Sequence, residues 1–462
     1  MAEDQVKISL FTKEEDESLH VSDAPLYVPS ALKRYGLSEI VNHLLGREDD
    51  EKKPVPFDFL IDGQLLRTSL KEYLVKNGLS SEAFLRVEYT RAVLPPSFLA
   101  SFNNEDWVSS VDTINNDSVA MSSIANSHIN GPQILSGSYD GIVRTYNMSG
   151  QVDKQYVGHS APVRAVKWIY AHRVVSAGND RQLRLWKTAA DPSVDEIAED
   201  EPESAKTLAI LDAHKAPVVS LDVNQKSHRI LSAGQDNIVG VWSTNPKDMN
   251  TVEPYANSTS LASSASKKRR KMALKDVNVK HRAPLSLLEG HSQPVEGVIF
   301  DSTDSTVAYS VSQDHTVKTW DLVTSKCVDT RSTGFSLLSI AQLPQVNLLA
   351  TGSSARHINL HDPRASSGAT ELQTTKLLGH TYFVVSLAVC PNNPQMFASG
   401  SHDGTVRVWD VRSDQPLYTI KRESGAPQGQ NKVFGVAWDK DIGIVSGGED
   451  KKLQINKGNN IA

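Results

Sequence analysis

GHTYFVVSLAVCPNNPQMFASGSHDGTVRVWDV, residues 379–411, contains the pattern that decides the fold of this chain. The stretch and the residues just after it predict four short strands, at 383–389, 396–401, 406–411 and 416–420. A turn at His402-Asp403-Gly404 joins the second strand to the third. Because no part of the unit has the apolar spacing of a helix, it predicts a small antiparallel sheet.

The same unit recurs along the chain, so the sequence predicts a repeat architecture. Five copies place an aromatic residue six positions after an Asp in a turn: Asp140/Tyr146, Asp180/Trp186, Asp236/Trp242, Asp314/Trp320 and Asp403/Trp409. Two degenerate copies, recognised by their flanks, are Ala355/His361 and Asp450/Asn456. The turns are separated by 40 to 78 residues, which fits propeller blades with insertions between some of them.

Four copies share two further polar positions. A His lies 21 to 23 residues before the turn Asp and a Ser lies four before it: His159/Ser176, His214/Ser232, His291/Ser310 and His380/Ser399. Ser, His and Asp together suggest a catalytic triad. However, an active site needs one such constellation, whereas a scaffold repeats its device in every unit, so we interpret the set as structural.

The repeats resemble the WD-repeat family over residues 105–456. The shared motifs are Gly-His at 158–159, 290–291 and 379–380, Ala-His at 213–214, and Trp-Asp at 320–321 and 409–410. The resemblance implies a seven-bladed β-propeller in which the His is linked to the Asp, and the Ser to the Trp indole, in one buried hydrogen-bonded chain. Losing one member would leave its neighbours unpaired, at ~1–3 kcal/mol each.

Ring closure and blade edges are further expectations. The last copy ends after its third strand, so we expect residues 91–102 to supply the fourth and remove the open edge. Blades five and seven lack both the His and the Trp, so we expect their edges to be looser.

Composition excludes several classes of protein. A net charge of −6 argues against a protein that covers nucleic acid with its whole surface. Two cysteines, Cys327 and Cys390, cannot build a disulfide framework or a four-cysteine zinc site, and we expect both to be buried thiols. The absence of a signal peptide or long apolar run predicts a soluble protein that is not secreted.

Two insertions interrupt the repeats, at about 189–205 and 245–284, and both lack apolar periodicity, which predicts disorder. The first is acidic and is interpreted as a solvating loop. The second carries five consecutive cations, Lys267, Lys268, Arg269, Arg270 and Lys271. They predict a nuclear-import signal first and contact with RNA phosphates second.

Residues 1–92 have a different pattern from the propeller at 93–462. Strands are predicted at 6–12, 19–27, 57–61, 64–67 and 84–90, with a helix at 38–46 that begins at Ser38 as its N-cap and a helical turn at 69–76. This order predicts a small α+β domain with the ubiquitin-like (β-grasp) fold. The fold class of the chain is therefore mainly β.

The words LKRYGLS (32–38), PVPFDFLI (54–61) and GLSSE (78–82), followed by the propeller, closely resemble the Notchless-like family. Within it the chain is similar to the WD-repeat subunit of the PeBoW complex. The resemblance implies a non-catalytic factor for large-subunit assembly and pre-rRNA processing in the nucleolus and nucleoplasm. Its implied partners are Pescadillo, the block-of-proliferation WD-repeat protein, the ATPase midasin and the large-subunit pre-ribosome.

The resemblance also implies a role for one residue of the head. Glu82, with Ser80 and Ser81 beside it, would offer its carboxylate to a divalent cation, expected to be Mg²⁺, held by midasin. The chain would hold no metal or cofactor of its own.

An alternative is an adaptor in a ubiquitin-ligase pathway, where such heads and propellers also occur. An enzyme is not expected, since the sequence lacks a P-loop, a dinucleotide fingerprint, His-Glu-x-x-His and a nucleophile elbow.

Overall fold

The chain divides into two compact units, Met1–Pro95 and Pro96–Ala462, in a computed structural model. The structure describes residues 5–14, 16–47, 54–80, 82–122, 129, 131–188, 203–253, 279–364, 375–422 and 431–458. Across these ranges no helix combines the length and apolarity that crossing a bilayer requires.

The first unit, called the head, has one sheet, two α-helices and one 3-10 helix among its described residues. Its elements are β1 Gln5–Phe11, a 3-10 helix Glu17–Leu19, β2 Leu26–Pro29, α1 Arg34–Leu44, β3 Phe57–Ile61, β4 Gln64–Leu65, α2 Leu70–Lys76 and β5 Phe84–Arg91. The strand order is β2-β1-β5-β3-β4, with β1 and β5 parallel and the other pairs antiparallel. This is the arrangement of a ubiquitin-like fold.

The core of the head lies on one face of this sheet. Side chains alternate along β1, so Val6, Ile8 and Leu10 are fully buried and belong to the same cluster as Leu37 and Val41 of α1. The opposite face, called the open face, carries the polar and half-buried positions of β1 and β5, together with the buried Ser9 and Leu60.

Two predictions for the head were wrong in their bounds. Helix α1 begins at Arg34, so Ser38 lies inside it, and its hydroxyl accepts a hydrogen bond from the Phe57 amide at 3.1 Å. The second strand is β2, not 19–27. The segment before β2 is held instead by the buried Tyr89 hydroxyl, which donates to Leu19 O at 2.7 Å and accepts from the Val21 amide at 2.9 Å.

The second unit consists of seven four-stranded sheets. From the inner strand outward, blade one has β7 Val108–Ile114, β8 Gln133–Ser138, β9 Ile142–Tyr146 and β10 Val152–Val157, and blade two has β11 Val163–Tyr170, β12 Arg173–Gly178, β13 Leu183–Lys187 and β15 Lys206–Leu211. Blade three has β16 Val218–Asn224, β17 Arg229–Gly234, β18 Ile238–Ser243 and β21 Ser286–Glu289; blade four has β22 Val295–Phe300, β23 Val307–Ser312, β24 Thr316–Asp321 and β25 Lys326–Ser332; and blade five has β26 Leu337–Leu343, β27 Leu348–Ser353, β28 His357–His361 and β29 Thr375–Leu378. Blade six has β30 Val384–Val389, β31 Met396–Ser401, β32 Thr405–Asp410 and β33 Tyr418–Lys421, and blade seven has β34 Val433–Asp439, β35 Gly443–Gly448, β36 Lys452–Lys457 and β6 Ser97–Asn103. The described residues also form the short strands β14 Glu203–Ser204, β19 Thr251–Val252 and β20 His281–Arg282. They form the short helix α3 Val119–Ser122 and the 3-10 turns Pro246–Asp248 and Pro344–Val346. The predicted propeller is confirmed.

Neighbouring blades pack face to face. Leu183 and Leu185 of the second blade form one buried cluster with Ile230 and Trp242 of the third. Polar side chains near the channel add ties between blades: Asp112 of the first blade accepts a hydrogen bond from the Trp168 amide of the second at 2.8 Å. The blades therefore support one another, since each buries apolar surface that a single sheet would leave exposed.

The predicted ring closure is confirmed. Strand β6 pairs antiparallel with β36, from Ser97 opposite Lys457 to Asn103 opposite Lys452. The segment that follows the head in sequence therefore supplies the outer strand of the blade made by the final described strands and closes the ring.

The described parts of the insertions, 203–205, 245–253 and 279–284, are ordered, so the prediction of disorder over 189–205 and 245–284 was wrong there. β14 pairs with the outer edge of β10, and β20 pairs with the outer edge of β15 and with β19. The outer strand of a blade has free backbone N–H and C=O groups, and these short segments satisfy them. The middles of both insertions, including the acidic run and Lys267–Lys271, lie outside the described residues.

Of the two cysteines, Cys390 is buried as expected, but Cys327 is exposed on β25. β25 is the outer strand of blade four, and no described strand pairs with its outer edge. Most of its side chains are exposed.

Candidate partner-binding sites

The loop between α2 and β5 of the head presents Glu82. Helix α2 begins after Ser69, whose hydroxyl accepts from the Glu72 amide, and ends before Gly78, which adopts a left-handed conformation (φ +65°). A tight turn follows, in which the Ala83 amide donates to Ser80 O at 3.1 Å. These contacts fix the backbone on both sides of the carboxylate.

Glu82 itself is exposed, and its amide donates to the Ser80 hydroxyl at 3.3 Å. Ser81 lies outside the described residues. Over the described ranges, no group of three or more His, Cys, Asp or Glu side chains is placed to hold a metal ion. A cation bound by Glu82 would therefore take its other ligands from a partner or from water.

The propeller contains the predicted hydrogen-bonded chain in four blades. In blade six, Trp409 Nε1 donates to Ser399 Oγ at 2.7 Å, His380 Nε2 lies 2.6 Å from the same oxygen, and His380 Nδ1 lies 2.8 Å from Asp403. The corresponding sets are His159, Ser176, Asp180 and Trp186; His214, Ser232, Asp236 and Trp242; and His291, Ser310, Asp314 and Trp320.

The direction of these hydrogen bonds follows from the donors available. The Trp indole can only donate, so the Ser oxygen accepts from it and its hydroxyl hydrogen is free to go to His Nε2. The His then donates from Nδ1 to the Asp. In blade six, burial lowers the pKa of His380. Burial alone would raise the pKa of Asp403, but hydrogen bonds from His380 and Thr405 outweigh it, and this pKa lies below its ordinary value. A neutral His beside a carboxylate results.

Blades one and seven use substitutes that the sequence analysis missed. In blade one, Asn104 occupies the position of the His, four residues before the inner strand, and accepts from Arg144 Nη1 at 3.0 Å and the Tyr146 hydroxyl at 3.1 Å. In blade seven, Arg422 takes the same role between Ser446 and Asp450. The spacing from Asn104 to Val108 equals that from His380 to Val384, and this match identifies Asn104 once the strand bounds are known.

Blade seven is therefore tied by a buried ion pair. The Arg422 and Asp450 side chains are 1% and 3% exposed and 2.7 Å apart. Blade five has no such substitute among the described residues: buried Thr351 replaces the Ser, and His361 replaces the Trp. Burial lowers the pKa of His361 to about 4, so this side chain is neutral at physiological pH.

A channel of about 730 Å³ passes through the propeller, lined by the inner strands of all seven blades. Six aromatic side chains at its mouth, here called the aromatic rim, contact one another in a chain: Trp107, Tyr139, Phe434, His402, Phe383 and Tyr382. Tyr382 is 49% exposed, and Phe383 and Trp107 are 38% and 36% exposed. A contiguous exposed aromatic surface of this kind is typical of protein interfaces.

Comparison with known proteins decides the family. The sequence matches the NLE (NUC135) domain over residues 6–74 and the WD domain, G-beta repeat, over 150–187, 205–243, 282–321 and 371–410. It is 67% identical to the ribosome biogenesis protein YTM1 of Scheffersomyces stipitis, over 99% of this chain and 98% of that protein. The chain belongs to the YTM1 family of ribosome biogenesis proteins.

Other YTM1 proteins agree with this assignment. That of Debaryomyces hansenii is 67% identical over the full length of both chains, and that of Candida albicans is 66% identical over 99% of this chain. The WD40 propeller domain of Doa1 matches with a TM-score of 0.55 at 17% identity, covering 78% of this chain and 96% of that one, which supports the fold alone. The predicted family resemblance is confirmed, and the chain has a role in ribosome assembly.

Proposed function

We propose that the chain is a non-catalytic assembly factor of the large ribosomal subunit, with one partner site on each unit. In this proposal the head binds midasin through Glu82, and the propeller binds the block-of-proliferation WD-repeat protein within the PeBoW complex, together with Pescadillo. The chain would act in the nucleolus and nucleoplasm, and its release from pre-ribosomes would follow from force applied by midasin to the head.

The observation that carries the proposal is the presentation of Glu82. Its side chain is exposed, and hydrogen bonds fix the loop before and after it, so little conformational entropy is lost when it binds. A hard cation such as Mg²⁺ with an open position accepts a carboxylate oxygen at ~2.0–2.1 Å. The cation would belong to midasin.

Binding between the purified chain and the metal-binding domain of midasin tests this role. We expect Glu82→Ala to abolish binding in Mg²⁺, and Glu82→Asp to do the same because its carboxylate is one methylene shorter. Chelation of Mg²⁺ should abolish binding by the wild type. Glu17→Ala removes another exposed carboxylate of the head and serves as the matched control. Undiminished binding by Glu82→Ala would refute the role of Glu82.

For the propeller, the aromatic rim supports the proposed docking of the block-of-proliferation protein. Charged substitutions at its two most exposed members, Tyr382→Glu and Phe383→Glu, should disrupt an apolar contact without altering the blade cores. We expect both to reduce co-purification of that protein and of Pescadillo. Val328→Glu, on the outer strand of blade four and 69% exposed, is the control. Equal recovery with rim and control variants would exclude the rim.

A further inference from the structure

The open face of the head's sheet carries a row of three side chains at one level. Lys7 of β1 is in register with Tyr27 of β2 on one side and with Phe84 of β5 on the other. Tyr27 is 67% exposed and Phe84 is 50% exposed, and Lys7 Nζ lies 5.5 Å from the centre of the Phe84 ring. These residues are called the sheet row.

Elsewhere on this face, Ser9 and Leu60 are buried, and Arg86 and Glu88 have partners. Arg86 lies over the Phe11 ring at 4.8 Å, and Glu88 pairs with Lys13 at 2.7 Å. The sheet row therefore stands out as an apolar strip with one cation at its centre. Exposed aromatic side chains on a rigid strand lose little entropy on binding, and Tyr and Phe are enriched in interface cores.

The sheet row lies next to Glu82. Phe84 follows Glu82 by two residues, so their Cα atoms are at most about 7.6 Å apart. A partner surface that extends beyond a cation at Glu82 can therefore also contact Phe84. Because Lys7 is in register with both Phe84 and Tyr27, a surface that covers Phe84 can extend over Lys7 to Tyr27.

We infer that the sheet row is a second contact surface, which binds the acidic rim of the same partner's cation site. This inference rests on the proposed role of Glu82. Mg²⁺ in proteins is held through one or two carboxylates, so acidic side chains of the partner lie beside the cation. Lys7 complements that charge, while Tyr27 and Phe84 cover an apolar side chain of the partner beside it. The row thus supplies selectivity that a single carboxylate cannot supply.

The test measures the affinity of the full-length chain for the metal-binding domain of midasin in Mg²⁺. We expect Tyr27→Ala and Phe84→Ala each to weaken binding about tenfold. Lys7→Ala should weaken binding and make it less sensitive to salt, because it removes a charge contact. Tyr35→Ala is the matched control, since Tyr35 is 76% exposed but lies on α1. Thermal unfolding of all variants should match the wild type.

Three outcomes would overturn the inference. If Glu82→Ala abolishes binding while Tyr27→Ala and Phe84→Ala bind as tightly as Tyr35→Ala, the proposed function stands and the sheet row has no part in it. If Glu82→Ala binds normally while the row variants are weakened, the cation contact and the inference both fail. If sedimentation shows a dimer of the wild type that Tyr27→Ala abolishes, the row binds a second copy of the chain.

Discussion

Replacing Arg422 by Met should destabilise the propeller strongly. Arg422 donates to both oxygens of Asp450 at 2.8 and 2.7 Å, to Ser446 Oγ at 2.8 Å and to Lys452 O at 2.6 Å. Met has a similar length but no donor. After the substitution, the Asp450 carboxylate would keep one described hydrogen bond, from the Lys452 amide at 3.3 Å.

The magnitude follows from the burial of this pair. Both side chains are almost completely excluded from solvent, so the carboxylate left behind is a buried charge without a countercharge. Breaking one partner of a buried ion pair costs about 3–5 kcal/mol. Substituting Asp450→Asn in the same chain removes the stranded charge, so we expect the double variant to be less destabilised than the two single effects added together.

The assay is the free energy of unfolding of the propeller in a denaturant titration, followed by tryptophan fluorescence. Lys440→Met is the control, because Lys440 and Asp117 form an exposed pair 3.3 Å apart, with side chains 53% and 69% exposed. Such a pair contributes less than about 1 kcal/mol. A loss for Arg422→Met no larger than that for Lys440→Met would show that Arg422 does not replace the histidine of the other blades.

Three further predictions concern stability and release. Trp409→Phe removes the donor to Ser399 and should lower the free energy of unfolding by about 1–3 kcal/mol; an unchanged denaturation midpoint would contradict the hydrogen-bonded chain. Burial alone would raise the pKa of Asp301, but hydrogen bonds led by that from the Thr303 hydroxyl bring it down to about 2. The ionised Asp301 carboxylate contributes fully to the free energy of unfolding above its unfolded pKa near 4, and the contribution disappears as the pH falls from about 4 to about 2. Unfolding measured over this pH range should therefore show the stability difference between the wild type and Asp301→Asn shrinking. A long Gly/Ser spacer inserted at 90–96 should leave midasin binding intact but slow release from pre-ribosomes, and normal release would show that force is not transmitted through this segment.

Much of the propeller could be predicted because most blades repeat one set of residues at nearly fixed spacing. The Asp-to-Trp spacing locates a turn and the strand after it, and the matching His and Ser locate the loop and strand before it. The resemblance to the WD-repeat family then implied which of these side chains meet in four blades, such as His380 and Asp403. Arg422 was missed because a guanidinium reaches the same Ser and Asp from a different position in sequence, so spacing alone does not identify it.

The head was harder to predict, because its bounds depend on tertiary contacts. Nothing in residues 19–27 signals that the Tyr89 hydroxyl, far away in sequence, takes two of their backbone hydrogen bonds. Likewise, Ser38 is a residue type that often caps a helix, but its hydroxyl accepts a hydrogen bond from the first residue of β3 instead. The sheet row was not predicted, because it requires the register of three strands that are not consecutive.

The pairing of β6 with β36 also has a consequence for biosynthesis. β6 is synthesised early, and its partner emerges from the ribosome roughly 350 residues later, so β6 lacks its strand partner through most of translation. A nascent chain therefore exposes an aggregation-prone edge until its last blade is made. A chaperone that covers Ser97–Asn103 during that interval would protect the newly made protein.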